Sequence, residues 1–180
     1  MTYARVILPA ALALLVLFGP PVSLHASVVV PMSLAELTAE ATVIVDGTVI
    51  DVRHVVGPEA AERLVLVRVA SAWKGSADET VYVRLAGGQV GRYATRVLGV
   101  PTVSAGDRLV WFLAPHPRGG YSVLGLHQGA LRTMQAAGGE MLVAAPPRVP
   151  SARGAVSRLP RRLSDLASEV RTLLASGDER

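Results

Sequence analysis

The side chains best suited to metal binding or proton transfer are four histidines, and they are widely spaced. His54, His116 and His127 stand alone, and the fourth, His25, lies in a segment that we expect to be removed. A local zinc site needs paired ligands such as H-x-x-x-H or H-E-x-x-H, and no such pair occurs. A metal site would therefore need residues that converge from distant loops, and we predict none.

Other catalytic patterns are equally weak. Asp46 and Asp51 could form a carboxylate pair for acid–base chemistry, but at this spacing on a strand they face opposite sides unless a bulge shifts the register. We therefore predict that both are solvated at an edge. Residues 87–91 (GGQVG) lack the Lys-Ser/Thr and the following helix of a phosphate-binding loop, and no G-x-S-x-G elbow occurs. We predict no catalytic residue, no cofactor and no enzymatic activity.

The first 26 residues have the layout of a secretory signal peptide. Arg5 precedes an apolar run from Val6 to Phe18, a Gly-Pro-Pro breaker follows, and Ala26 is a small residue before the expected cut. The apolar run is shorter than the roughly 20 residues of a membrane-spanning helix, although an uncleaved anchor is the alternative. We expect an exported protein, periplasmic or extracellular, whose mature chain begins near Ser27 without stable membrane insertion.

Cysteine is absent, which excludes disulfides, thiol nucleophiles and thiolate metal sites. The formal net charge is +4, and the basic surplus lies in residues 146–162, which hold several arginines and no acid. A basic stretch could contact anionic lipid or nucleic acid. Because aromatic residues are missing there, we predict a solvated Pro/Arg-rich linker and no nucleic-acid partner.

Short strands between turn residues dominate the part between the leader and the linker. Ser33 to Glu36 fits a capping box and predicts a helix over residues 33–41. Period-two patterns predict strands at residues 42–52, 64–72, 80–85, 108–114, 121–126, 130–135 and 140–144. Strands do not alternate with helices, which indicates a mainly β domain over residues 27–145, either a closed barrel or a sandwich. A final helix is predicted over residues 163–180, either docked on this domain, frayed, or bound to a partner or membrane surface.

Two glycine-containing stretches shape this domain. Gly47 interrupts the first strand and predicts a bulge or kink in one bent strand, with a hairpin as the alternative. Residues 65–75 (VLVRVASAWKG) end a strand abruptly. We predict that Trp73 is a structural plug near one barrel end and that Lys74 keeps its charge in solvent.

Three longer pieces occur in order, Ala41–Val49 (ATVIVDGTV), Val69–Gly75 (VASAWKG) and Gly106–Leu113 (GDRLVWFL), together with GGQVG at 87–91 and GLHQG at 125–129. Over roughly residues 33–135 they resemble the netrin-like, or tissue-inhibitor-of-metalloproteinases-like, branch of the OB-fold. Within it, they are most similar to exported bacterial proteins of uncharacterised function. The resemblance implies a five-stranded OB-like Greek-key barrel with a kinked first strand, a short N-terminal helix and a C-terminal helix after the linker.

The resemblance also implies a way of binding. In the inhibitor family, a disulfide-bonded N-terminal cysteine offers its amine and carbonyl to a protease zinc, whereas this chain has no cysteine. We expect a non-enzymatic module that binds an unknown protein partner, with a secreted metalloprotease as the candidate. The alternative is a small-ligand or glycan binder that uses the exposed barrel face and residues 87–99. The candidate interaction residues are Ser27, Val28, Val29, Tyr93 and Arg96.

Overall fold

The computed structural model describes residues 30–57, 60–143 and 160–177. The expected signal peptide, the candidate residues Ser27 to Val29 and most of the predicted linker lie outside this part of the chain. The helices are α1 (Leu34–Glu40) and α2 (Leu163–Gly177), with a 3-10 turn η1 (Leu126–Gly129). The strands are β1 (Val43–Val56), β2 (Ala61–Lys74), β3 (Thr80–Ala86), β4 (Gly88–Val90), β5 (Tyr93–Thr95), β6 (Arg108–Pro115), β7 (Tyr121–Val123), β8 (Ala130–Gln135), β9 (Met141–Val143) and β10 (Arg161–Arg162).

Five strands close into a mixed barrel in the order β1-β2-β3-β7-β6, with β6 pairing back to β1. All neighbours are antiparallel except β3 and β7, which run parallel. This confirms the predicted OB-like Greek-key barrel. Beyond β7, the chain passes through η1 and then forms β8, which pairs with β6 on the edge that β7 also uses. Strand β9 pairs with β8, and β10 pairs with β9, so both extend the sheet outward.

The barrel interior follows the period-two alternation of its strands. The inward side chains are mostly valine and leucine, as expected for pleated strands with one face in a core. Trp111 is the largest of them and is fully buried. Strand β6 is buried on both faces and pairs with β1, β7 and β8, so it is the central strand of the sheet.

A second apolar layer lies on the outside of β1 and β6. Ile44, Val110 and Phe112 point away from the barrel interior and pack against Leu166 and other apolar residues of α1 and α2. The C-terminal helix therefore docks on the barrel, the first of the three alternatives that its sequence allowed. Within the described ranges, no helix is both long and apolar enough to cross a membrane.

Trp73 and Lys74 end strand β2 beneath this outer layer. Trp73 packs with the outer cluster, so the prediction of a plug at a barrel end is wrong, and Trp111 fills the interior instead. The Lys74 Nζ donates to the carbonyl oxygens of Thr38 at 2.7 Å and Ala39 at 3.0 Å. These carbonyls belong to the last turn of α1, where a cation also interacts favourably with the helix dipole. The expectation that Lys74 leaves its charge in solvent is therefore wrong.

Strand β1 bends at Gly47, as predicted. The β1–β2 register shifts between Asp46 and Gly47, and a Cβ added to Gly47 would lie 2.6 Å from Val67 Cγ1 and 2.8 Å from the carbonyl oxygen of Arg68. Only glycine permits this close approach. Past the bend, β1 leaves β6 and continues along β2 to Val56, and we call this part the β1–β2 extension. Over residues 62–68, β2 is also paired with β3 on its other edge. The first strand therefore ends four residues later than predicted, and β2 begins at Ala61, three residues earlier than predicted.

The parallel β3–β7 contact that closes the barrel involves only two residue pairs, and side chains reinforce it. Arg84, on β3, donates from Nε to the carbonyl oxygen of Gly119 at 3.0 Å and from Nη2 to that of Arg118 at 3.2 Å. The Glu62 carboxylate forms ion pairs with the guanidinium groups of Arg118 and Arg84. These contacts tie the β6–β7 turn to β2 and β3.

We expect Gly47→Ala to lower the free energy of unfolding by about 1–3 kcal/mol, because the added methyl group overpacks the β1–β2 contact. Urea unfolding of the purified protein measures this change. Gly138→Ala is the matched control, since a Cβ there meets no atom within 4 Å. The control should stay within about 0.5 kcal/mol of the parent protein. Equal stability of both variants would contradict the close approach.

Candidate interaction site

The histidines engage separate neighbours. His54 Nδ1 accepts from the backbone N–H of Gln89 at 2.7 Å, and His116 Nδ1 accepts from that of Arg118 at 3.1 Å. Burial, together with the charges of Arg118 and Arg84, lowers the pKa of His116, which favours the neutral ring. Among the described residues, no three His, Asp or Glu side chains converge as metal ligands.

Asp46 forms a buried ion pair with Arg108. Only 3% of Asp46 is exposed, and its carboxylate accepts from Arg108 Nε at 2.9 Å and Nη2 at 2.5 Å. This bidentate bond raises the pKa of Arg108 despite partial burial. The prediction that Asp46 is solvated at an edge is wrong. Asp51 instead pairs with Arg53 at the surface, so the two carboxylates serve different partners.

The turn η1 has a strained backbone. Gly125 and Leu126 both adopt the left-handed conformation, with φ of 56° and 58°, and Leu126 is the only non-glycine residue with positive φ among those described. Such a conformation costs a non-glycine residue about 1–2 kcal/mol. At the other end of the turn, a Cβ on Gly129 would collide with the carbonyl oxygen of Leu124. Strain of this kind persists only where the surroundings impose it.

Gln128 connects this turn to the N-terminal arm. Its side-chain Oε1 accepts from the backbone N–H of Met32 at 2.8 Å, while Nε2 donates to the carbonyl oxygen of Val30 at 3.0 Å and to that of Gly125 at 3.2 Å. One amide thus bonds the arm on both sides of Pro31, much as a neighbouring strand would. The chain has no cysteine to fix its arm covalently, and this amide holds residues 30–32 instead.

His127 connects the same turn to residues 87–99, which we call the glycine-rich excursion. Its backbone N–H donates to the carbonyl oxygen of Gly99 at 2.8 Å, and its ring Nδ1 lies 3.3 Å from the same oxygen. Consecutive residues of η1 therefore hold two segments that are distant in sequence. We call residues 30–32, 97–99 and 125–128 together the rim.

Exposed apolar side chains lie on two of the three rim segments. Val30 is 73% exposed, Leu98 78% and Val97 38%. Single exposed apolar residues are common on soluble proteins. Here, however, they flank one turn whose hydrogen bonds fix the backbone beneath them. Apolar groups on a fixed backbone suit protein binding, because less conformational entropy is lost when the complex forms.

The interaction residues predicted from the sequence are near the rim segments in the chain, but none of them belongs to the rim. Ser27, Val28 and Val29 precede its arm segment and lie outside the described residues. Tyr93 is 70% exposed, and Arg92 stacks over its ring with the guanidinium carbon 5.4 Å from the centroid. Arg96 is also exposed, on the chain that leads from β5 to the rim. In the part of the chain that the structure describes, neither Tyr93 nor Arg96 hydrogen-bonds to the rim.

The sequence does not identify Gln128 and His127 as site residues. Their stretch, GLHQG, stands out only as a motif of the resembled proteins. Its two glycines signal a tight turn, but the contact between Gln128 and the arm spans 96 positions in the sequence. No local pattern predicts such a partner.

Comparison of the whole chain with models of known protein families gives no match, and no curated protein matches it either. The likeness to the netrin-like branch therefore stays a prediction from short motifs.

We expect Gln128→Ala to release the arm, because two backbone groups of residues 30–32 lose their partner. Hydrogen exchange at the Met32 amide should accelerate at least tenfold, and the free energy of unfolding should fall by about 1–2 kcal/mol. Gln135→Ala, at an exposed position on β8, is the matched control and should leave Met32 protected. Unchanged exchange at Met32 in the Gln128 variant would show that the arm is held by other contacts.

The Asp46–Arg108 pair predicts a non-additive double-variant cycle. Arg108→Gln leaves a buried carboxylate without its cation and should cost about 3 kcal/mol of stability. Adding Asp46→Asn removes the buried charge, so the double variant should be more stable than Arg108→Gln alone. Chemical denaturation of the four proteins gives the coupling energy. Simple additivity would mean that the pair contributes no interaction of its own.

Proposed function

We propose that this chain is an exported, non-enzymatic binding module that engages a protein partner through the rim. The observation that supports this proposal most directly is that Gln128 and His127 hold the arm and the excursion against one strained turn. This arrangement supports a recognition surface because three separate chain segments present their backbone and apolar side chains together.

The chemistry of the rim favours a protein over a small charged ligand. Its exposed side chains Val30 and Leu98 are aliphatic and carry no polar group. Aliphatic contacts at the centre of an interface contribute through burial of apolar area, at about 25 cal/mol per Å². A partner with an apolar groove, into which the arm and the neighbouring turn can be inserted, matches this surface.

A secreted metalloprotease is the candidate partner, on the basis of the resemblance to the inhibitor family. Cleavage after Ala26 would place a new N-terminus near Ser27, three positions before the arm segment that Gln128 holds. Without a cysteine, the arm would enter a protease cleft through its backbone and through aliphatic side chains. This mode depends on Gln128 for positioning and does not need a disulfide.

We expect Val30→Asp to weaken partner binding at least tenfold, because a carboxylate would be desolvated in an apolar contact. The measurement is inhibition of a panel of secreted zinc metalloproteases, together with cross-linking capture from periplasmic and culture extract. Val56→Asp is the matched control, with the same substitution at a side chain 77% exposed on the β1–β2 extension. It should bind as the parent protein does.

One outcome would contradict the proposal itself, and a second would reject only the candidate partner. Identical capture profiles for the parent, the Val30 variant and the Val56 variant would remove the rim from partner binding. Absence of inhibition across the metalloprotease panel, with a rim-dependent partner of another class captured from extract, would retain the binding module and reject the protease. Both variants should keep the parent melting temperature, since both positions are exposed.

A further inference from the structure

A cleft of about 340 Å³ lies between the start of α2, the turn before β9 and the outer face of β1 and β2. It shares no residue with the rim. Its size is at the lower end of the range for small-molecule sites, about 300–1,000 Å³. The lining residues are Asp46, Ser71, Trp73, Glu140, Met141, Leu163, Ser164 and Ala167.

Trp73 supplies an aromatic wall with a fixed orientation. The indole is half-buried against the outer cluster, and its Nε1 donates to Ser71 Oγ at 3.0 Å. Because the Ser71 oxygen accepts this bond, its own hydroxyl hydrogen is available to a ligand. A flat apolar surface beside a hydroxyl group therefore faces the same small volume.

The carboxylates of the cleft are already neutralised. Asp46 is paired with Arg108, and Glu140 Oε1 accepts from Arg162 Nε at 2.7 Å. A cationic ligand would gain little attraction here, since each carboxylate already has a guanidinium partner. An anionic ligand would meet two carboxylates. Both carboxylates still have lone pairs that can accept hydroxyl donors, because a carboxylate offers about four acceptor positions.

We propose that this cleft binds a neutral saccharide unit. A sugar ring has an apolar C–H face that can lie on the indole of Trp73, and its edge carries hydroxyl groups. Those hydroxyls can donate to Asp46 and Glu140 and accept from Ser71. They can also donate to Ser164 Oγ, whose own hydrogen is directed to Asp165 Oδ1. An aromatic surface with a few convergent polar groups and no net charge selects a polyhydroxylated ring over an ion or an aliphatic chain.

Tryptophan fluorescence provides the first test, because the other tryptophan, Trp111, is fully buried in the barrel. The probes are glucose, galactose, N-acetylglucosamine, maltose, cellobiose and isomaltose, each titrated into the full mature chain, with amide NMR shifts as a second readout. We expect saturable quenching or enhancement by at least one probe, with shifts at residues 71–73 and 140–141. Comparing the affinity for isomaltose with the affinity for dextran shows whether the cleft prefers a free sugar or a polymer. Binding of either supports the proposal.

Three variants locate the site. Trp73→Leu keeps an apolar side chain under α2 and should weaken saccharide binding at least tenfold. Binding to this variant is measured by NMR. Glu140→Gln keeps the shape and should weaken it several-fold, which preserves the test if the Trp73 variant does not fold. Tyr82→Leu removes an aromatic ring that is 48% exposed on β3, outside the cleft, and is the matched control.

The proposal is overturned if no probe shifts residues 71–73 of the folded protein. It is also overturned if Trp73→Leu and Glu140→Gln, both folded, bind as the parent does, or if glucuronate or putrescine binds more tightly than every neutral probe. Because the cleft and the rim share no residue, Val30→Asp should bind the saccharide normally. Failure of the rim proposal and failure of this one are therefore distinguishable.

Discussion

The close approach of strand β1 to strand β2 at Gly47 is the contact on which the barrel depends. Strand β1 pairs with β6 along one edge as far as Thr48 and with β2 along the other edge to Val56, and at the Gly47 register shift its backbone lies against Val67 and Arg68. Any side chain at this position would push the strands apart. Asp46, the residue just before this bend, forms the buried ion pair with Arg108.

Two apolar layers share strands β1 and β6, and this sharing explains how the domain holds together without disulfides. The inward residues of β6 complete the barrel core, whereas Val110 and Phe112 pack outward against the helices. A small domain with one thin core is marginally stable, so burial on both faces of a central strand adds apolar area where the chain is already ordered. The helix α2 is therefore part of the folded domain, and it forms one wall of the cleft beside Trp73.

The rim depends on polar contacts that the apolar layers do not supply. Leu126 keeps an unfavourable left-handed conformation because its neighbours in η1 bond to the arm and to Gly99. Each of these hydrogen bonds contributes about 1 kcal/mol, less than the 2–4 kcal/mol typical of a disulfide. An arm held in this way is ordered but can be released, and this distinguishes it from an arm fixed by a covalent bond.

Local patterns in the sequence determined the elements whose stabilising partners are close along the chain. The capping box of Ser33 and Glu36, the alternation of β3 and the bend at Gly47 are confirmed because each depends on a short-range steric or hydrogen-bonding rule. The fold class followed from the order of such elements. The tertiary structure alone decided the burial of Asp46, whose partner is 62 positions away, the role of Gln128, 96 positions from Met32, and the docking of α2. A polar side chain in a strand is predicted to face solvent when its partner is distant in the sequence. The candidate sites are therefore visible only in the tertiary structure.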